Sequence, residues 1–164
     1  MFPEDILAQA RAVVAAAVRN GVLIATAESC TGGLVAGALT AIPGSSAALD
    51  RGFVTYSNAA KSELLGVPAE LIAAHGAVSG PVARAMAEGA LTRSPADVTV
   101  AVTGVAGPTG GSDGKPVGLV HFAAAGPSGV VHQERRFGDI GRDAIRLESV
   151  RVALGLLLGR LEAA

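Results

Sequence analysis

The amino-acid sequence predicts a three-layer α/β/α domain on a mixed, mostly parallel sheet of about five strands. Three observations predict it. Segments with helical spacing alternate with short apolar runs, those runs are apolar almost throughout, as in strands covered on both faces, and the last two follow one another directly. That direct joining makes one of the final two strands antiparallel to its neighbour.

The first helix is read over 3–19, where Ile6, Leu7, Ala10, Val13, Val14, Ala17 and Val18 fall on one face. Glu4 and Asp5 suit its positive end, and Asn20-Gly21 is a stop. Residues 22–25 read as a short strand that enters a tight turn, Glu28-Ser29-Cys30-Thr31-Gly32-Gly33, and then a helix over 34–41. Residues 53–56 read as the next strand. Asn58 is the expected N-cap of a short helix ending at Gly66, and Pro68 opens another. Ser79 and Pro81 begin a helix through about residue 92, and residues 98–102 form an apolar strand that runs into a glycine-dense loop. Residues 117–124 and 130–137 are neighbouring strands joined through Gly126-Pro127-Ser128-Gly129, and 141–162 is a closing helix. No internal repeat or linker interrupts the chain, so residues 1–164 are expected to form one domain.

Composition narrows the function. The chain carries 16% charged residues against roughly 25% in an average soluble domain, and 3% aromatics, so its core is aliphatic. Its net charge of −1, with no run of Lys or Arg, lacks the electrostatic footprint of a nucleic-acid binder. Mean hydropathy is +0.48, yet the apolar runs fall far short of the roughly 18 residues that a membrane span needs. The acidic start lacks the basic and apolar regions of a secretory signal, which points to the cytoplasm. Cys30 is the only cysteine, so an intrachain disulfide and a CxxC redox pair are excluded.

Several familiar signatures fail. The loop ending in Gly114-Lys115 has Thr109 where a phosphate-binding loop needs its first glycine, and Pro116 where it needs Ser or Thr. No GxGxxG follows a strand, and neither SxxK nor GxSxG surrounds Ser29. His75, His121 and His132 stand without partners at ligand spacing, so no metal site is expected.

Three features remain. In the first, Ser29 stands at a strand end before a helix that opens with Gly32 and Gly33. Ser29 or Thr31 suits helix capping, but one cap suffices, and the glycines let a ligand approach backbone N–H groups at a positive helix end. Cys30 is an alternative nucleophile whose simpler role is a small buried hydrophobe. In the second, an Asn58 cap puts Lys61 in the first helical turn, where a cation is disfavoured and a neutral amine, hence a base, is favoured. A solvated surface lysine is the competing reading. Tyr56, the only tyrosine, stands beside it and suits a proton relay. The third is Thr103-Gly104-Val105-Ala106-Gly107-Pro108-Thr109-Gly110-Gly111, either a mobile loop or an anion cradle. Arg142 and Arg146, one helical turn apart, can grip phosphate or simply solvate a helix face.

Taken together, AESCTGG at 27–33, YSN..K at 56–61, TGVAGPTGG at 103–111 and KPVG at 115–118 resemble the CinA C-terminal domain family over nearly the whole chain. The resemblance implies the α/β/α fold and nicotinamide-nucleotide amidase activity. That reaction hydrolyses the carboxamide of nicotinamide mononucleotide to nicotinic acid mononucleotide and ammonia, with no cofactor. The family's Ser nucleophile falls on Ser29, its Lys base on Lys61 and its assisting Tyr on Tyr56. The family's loop pattern maps onto Thr103, Gly104 and Gly107 and its arginine pair onto Arg142 and Arg146; with the helix-start residues Thr31, Gly32 and Gly33 read above, these are the expected substrate contacts. The family reads Gly-Asp-Arg before the last helix, whereas here Ile140-Gly141 separates Gly138-Asp139 from Arg142. Many members also carry an N-terminal molybdopterin-binding-like domain, and this sequence is expected to work without one.

The alternatives that this leaves are an amidase for another nucleotide or pyridine carboxamide, and a non-catalytic nucleotide-binding or interaction domain. A small-molecule nucleotide is the expected partner, with neither nucleic acid nor membrane. A homodimer is expected too, because Val150, Val152, Leu154, Leu156, Leu157, Leu158 and Leu161 leave little of the last helix polar.

Overall fold

The structure is a computed structural model that describes residues 1–163. In chain order the elements are α1 (Glu4–Asn20), β1 (Ile24–Glu28), α2 (Leu34–Thr40), a 3₁₀ turn (Ser45–Ala47), β2 (Leu49–Val54) and α3 (Asn58–Leu65). There follow α4 (Ala69–His75), α5 (Gly80–Thr92), β3 (Val98–Gly104), β4 (Leu119–Gly126), β5 (Gly129–Arg136) and α6 (Arg142–Glu162).

One sheet of order β2-β1-β3-β4-β5 runs through the molecule. β1 pairs in parallel with both β2 and β3, whereas β4 is antiparallel to β3 and to β5. Four of the five strands therefore point one way and β4 alone runs against them. This is the expected mixed sheet.

Alternation along the strands creates two unlike faces. Val98, Val100, Val102, Val120 and Phe122 point towards α1, α2 and α6, where Ile6, Val13, Leu39, Ile145 and Leu154 complete the larger core. Ala27, Ala101, Ala123 and Ala125 point the other way, against Val82, Ala83, Met86, Ala87 and Ala90 of α5 and Leu65 of α3. Small side chains on both partners let α5 lie close enough for the Thr99 hydroxyl to donate to the Ala87 carbonyl at 2.7 Å.

β3, β4 and β5 fall within two residues of their expected bounds, and β1 and β2 depart further. β1 runs on through Thr26 and Glu28, both fully buried, because their polar atoms find partners inside the protein. β2 starts at Leu49, before the expected 53–56, since Asp50, Arg51 and Gly52 on this edge strand are exposed and carry no apolar signal. The cap of α3 also differs from expectation. Ser57, not Asn58, occupies the N-cap, and its hydroxyl accepts from the Ala60 N–H at 3.0 Å.

α6 buries Val150, Leu154, Leu157 and Leu161 against its own subunit, and Val152, Leu156 and Leu158 are partly buried. Among the described residues, no helix is long and apolar enough to cross a membrane.

Candidate active site

Parallel strands β1, β2 and β3 end at the same edge of the sheet, the edge at which ligands of open α/β sheets bind. The chain continues from β1 into Ser29, from β2 into Thr55 and Tyr56, and β3 itself ends in Thr103 and Gly104. Of these residues Ser29, Tyr56, Thr103 and Gly104 wall a cavity of about 210 Å³ together with Cys30, Asn58, Lys61, Ala106 and Arg142. Residues distant in sequence thus face one space.

Ser29 is held by its own backbone, whose N–H donates to the Val102 carbonyl of β3 at 2.9 Å. Lys61 comes from the first turn of α3 and is only 1% exposed. Its Nζ lies 3.0 Å from Ser29 Oγ, 2.9 Å from the Thr55 carbonyl and 3.3 Å from the Tyr56 carbonyl. Burial holds the Lys61 amine below the ordinary lysine value. No carboxylate contacts Nζ among the described residues, so the charged form has no counter-ion to offset its desolvation.

Cys30 adjoins Ser29, but burial pushes its thiol up to about 12, which keeps it protonated and unreactive at neutral pH. Tyr56 is exposed at the cavity mouth, and its phenol oxygen accepts from Arg142 Nη2 at 3.2 Å. Arg142 also donates to the Gly107 carbonyl at 2.6 Å, which pins the glycine-dense loop to the start of α6. Lys115, further along that loop, donates to the His75 carbonyl at the end of α4.

Not every residue singled out in the sequence reaches the cavity. Thr31, Gly32, Gly33 and Gly107 do not line it. Gly32 and Gly33 have φ of 56° and 102°, so they serve the bend that carries the chain from β1 into α2. Arg146 lies behind this bend, with Nε 3.1 Å from the Cys30 carbonyl and Nη2 3.3 Å from the Thr31 carbonyl.

The start of α2 is likewise occupied from within. Neither Ser29 nor Thr31 caps the helix, and its N-cap residue, Gly33, has no side chain to do so. The carboxylate of Glu28 accepts instead from the Val35 N–H at 2.9 Å and the Ala36 N–H at 3.0 Å. A phosphate has no room at those amides. Sequence reasoning gave Glu28 no part, and its place in the AESCTGG run, one residue before a candidate nucleophile, was the available signal.

Among the described residues, no three His, Cys, Asp or Glu side chains cluster as a metal site. The polar side chains around the cavity are the Ser29 hydroxyl beside the buried Lys61 amine, the Thr103 hydroxyl, the Asn58 amide, and the Tyr56 phenol and Arg142 guanidinium at the rim. Such a set suits acyl transfer more than metal chemistry.

A family model described as the CinA C-terminal domain matches residues 7–161. The chain is 57% identical over 146 residues to a CinA-like protein of Anaeromyxobacter sp. (strain K), covering 88% of this chain and 35% of that protein. It is 54% identical over 155 residues to a CinA-like protein of Parasynechococcus marenigrum (strain WH8102), covering 94% and 37%. The chain therefore spans about a third of the length of these curated relatives. The crystal structure of the competence/damage inducible protein CihA from Agrobacterium tumefaciens superposes with a TM-score of 0.96 at 56% identity, covering 99% of this chain and 98% of that one. A CinA superfamily protein from Klebsiella pneumoniae 700603 gives a TM-score of 0.91 at 38% identity, covering 97% and 99%.

Proposed function

The chain belongs to the CinA C-terminal domain family, and from that membership and the cavity we propose an amidohydrolase that converts nicotinamide mononucleotide to nicotinic acid mononucleotide and ammonia. The observation that carries the reading is the contact between buried Lys61 Nζ and Ser29 Oγ at 3.0 Å.

A neutral amine has two N–H groups and one lone pair. The Thr55 and Tyr56 carbonyls take the two N–H groups, so the lone pair faces Ser29 Oγ, whose hydroxyl then donates to it. In the proposed reaction Lys61 removes that proton as Oγ attacks the carboxamide carbon. The C–N bond breaks, ammonia leaves with the proton that Lys61 gives back, directly or relayed through the Tyr56 phenol, and an acyl-Ser29 ester remains beside a neutral Lys61. Water, deprotonated by Lys61, then attacks the ester carbon, and Ser29 regains its proton as the carboxylate departs. The Cys30 N–H, next along the chain from the nucleophile and at the cavity wall, is the proposed oxyanion donor. One such donor is worth roughly 2.7–4 kcal/mol in comparable sites. Arg142, at the rim, is the proposed phosphate contact.

We further propose that the enzyme acts in the cytoplasm as a homodimer. Ammonia release across nicotinamide mononucleotide, nicotinamide riboside and free nicotinamide tests the central reading. Release from the mononucleotide supports it; release only from another carboxamide reassigns the substrate; no release from any overturns the enzyme and favours a binding domain.

A further inference from the structure

Glu28 is fully buried, and both of its carboxylate oxygens are saturated. Oε1 accepts from the Thr31 hydroxyl at 2.8 Å and the Val35 N–H at 2.9 Å. Oε2 accepts from the Thr26 hydroxyl at 3.0 Å and the Ala36 N–H at 3.0 Å. Thr26 lies on β1, Thr31 in the bend and residues 35 and 36 in the first turn of α2. One side chain therefore ties strand, bend and helix together, with Ser29 inside the loop so closed.

The same residue reaches the other half of the site through its backbone. The Glu28 carbonyl accepts from the Thr55 N–H at 2.9 Å, and the Thr55 carbonyl accepts from Lys61 Nζ at 2.9 Å. Arg146 holds the rear of the bend through the Cys30 and Thr31 carbonyls, so front and back are both fixed. An ordinary N-cap would satisfy α2 equally well. It would not anchor the helix to the strand residue preceding Ser29.

We infer that Glu28 is a positioning residue, an internal carboxylate cap that fixes the Ser29 bend in register with Lys61. Its catalytic consequence rests on the amidase reading; its structural consequence does not. Glu28→Gln keeps the shape but places an NH₂ group against donors that need an acceptor, so it opens one side of the tie. Ser29 then drifts from Lys61, and water reaches the amine.

Lys61 and Lys115 are the only lysines, so the full chain grown with [6-¹³C]lysine gives two assignable side-chain signals. In Glu28→Gln the Lys61 titration midpoint moves up towards the ordinary lysine value while the Lys115 midpoint stays put. With nicotinamide mononucleotide, kcat falls on the order of 10²-fold and KM stays within about twofold, since a misplacement of ~1 Å costs the chemical step, not binding. A folded variant with an unmoved Lys61 midpoint overturns the inference. Should Glu28→Gln fail to fold, Thr26→Val removes one donor to Oε2 and shifts the Lys61 midpoint less, in the same direction; no shift there overturns it too. Wild-type protein that releases no ammonia from any carboxamide defeats the amidase reading, and the lysine titration still decides the role of Glu28.

Discussion

Lys61 Nζ and Ser29 Oγ lie 3.0 Å apart across 32 residues of sequence, with the lysine amine supported by two carbonyls and, among the described residues, no carboxylate. Ser29 follows strand β1 and Lys61 lies in helix α3, which follows β2, so the shared edge of these two parallel strands brings the side chains together. Ser29→Ala is expected to abolish ammonia release with the fold intact, because losing one hydroxyl in this wall is a small change. Retention of more than about a few per cent of activity, against the 10³-fold or larger losses typical of nucleophile removal, would argue for another nucleophile.

Lys61→Arg is expected to be inactive as well, because a guanidinium stays protonated and cannot accept the Ser29 proton. In the wild type, kcat is expected to fall as pH drops through the Lys61 value, since in the proposed mechanism only the neutral amine is a base. Burial lowers that value, so the acid limb lies below the ordinary lysine value of 10.5. A rate that first rises only near 10.5 would identify an unperturbed lysine.

A second pH effect belongs to stability. His121 Nδ1 lies 2.8 Å from His132 Nε2, and His121 Nε2 lies 3.6 Å from Glu134 Oε1. Burial, then the facing His132 imidazole, hold His121 below its ordinary value; Lys115 and Arg136 act likewise and Glu134 opposes them. Burial, then Arg84, lower His132, again against Glu134. The unfolded chain therefore takes up these protons first as pH falls. The stability contribution is complete above the ordinary histidine value of about 6.5 and is lost as pH falls through the lower folded values. Denaturant titrations between pH 5 and pH 8 should show a shallower decline in His132→Gln than in the wild type. Equal slopes would remove the pair as the cause.

Packing between α3 and α5 depends on Gly89, where a Cβ would lie 2.0 Å from the Leu65 carbonyl oxygen. Helix propensity alone favours alanine there. Gly89→Ala is nevertheless expected to destabilise by about 1–3 kcal/mol through overpacking. A melting temperature equal to or above that of the wild type would contradict it.

The homodimer proposal now rests on a narrower surface than the sequence suggested, namely partly buried Val152, Leu156 and Leu158 on α6. Sedimentation equilibrium at micromolar concentration should give twice the 16.2 kDa chain mass. A single species at the monomer mass refutes it.

By itself, the sequence determined the α/β/α order, the helix stops and most of the strands, because periodicity and glycine punctuation are local signals. It also marked Ser29, Tyr56 and Lys61, since unusual residue types at a strand end or in a helix's first turn are legible without coordinates. The exposed edge strand β2 was legible only in part, as Asp50, Arg51 and Gly52 mask it. Tertiary structure alone decided how the marked residues combine. It brought Lys61 onto Ser29 and gave the cap of α3 to Ser57. It turned Arg146 to backbone carbonyls and filled the start of α2 with Glu28. Each of these turns on which donor lies nearest which acceptor once the strands are side by side. Hydrogen bonds act over about 3 Å and carry no signature in residue spacing, so their partners exist only in the folded chain.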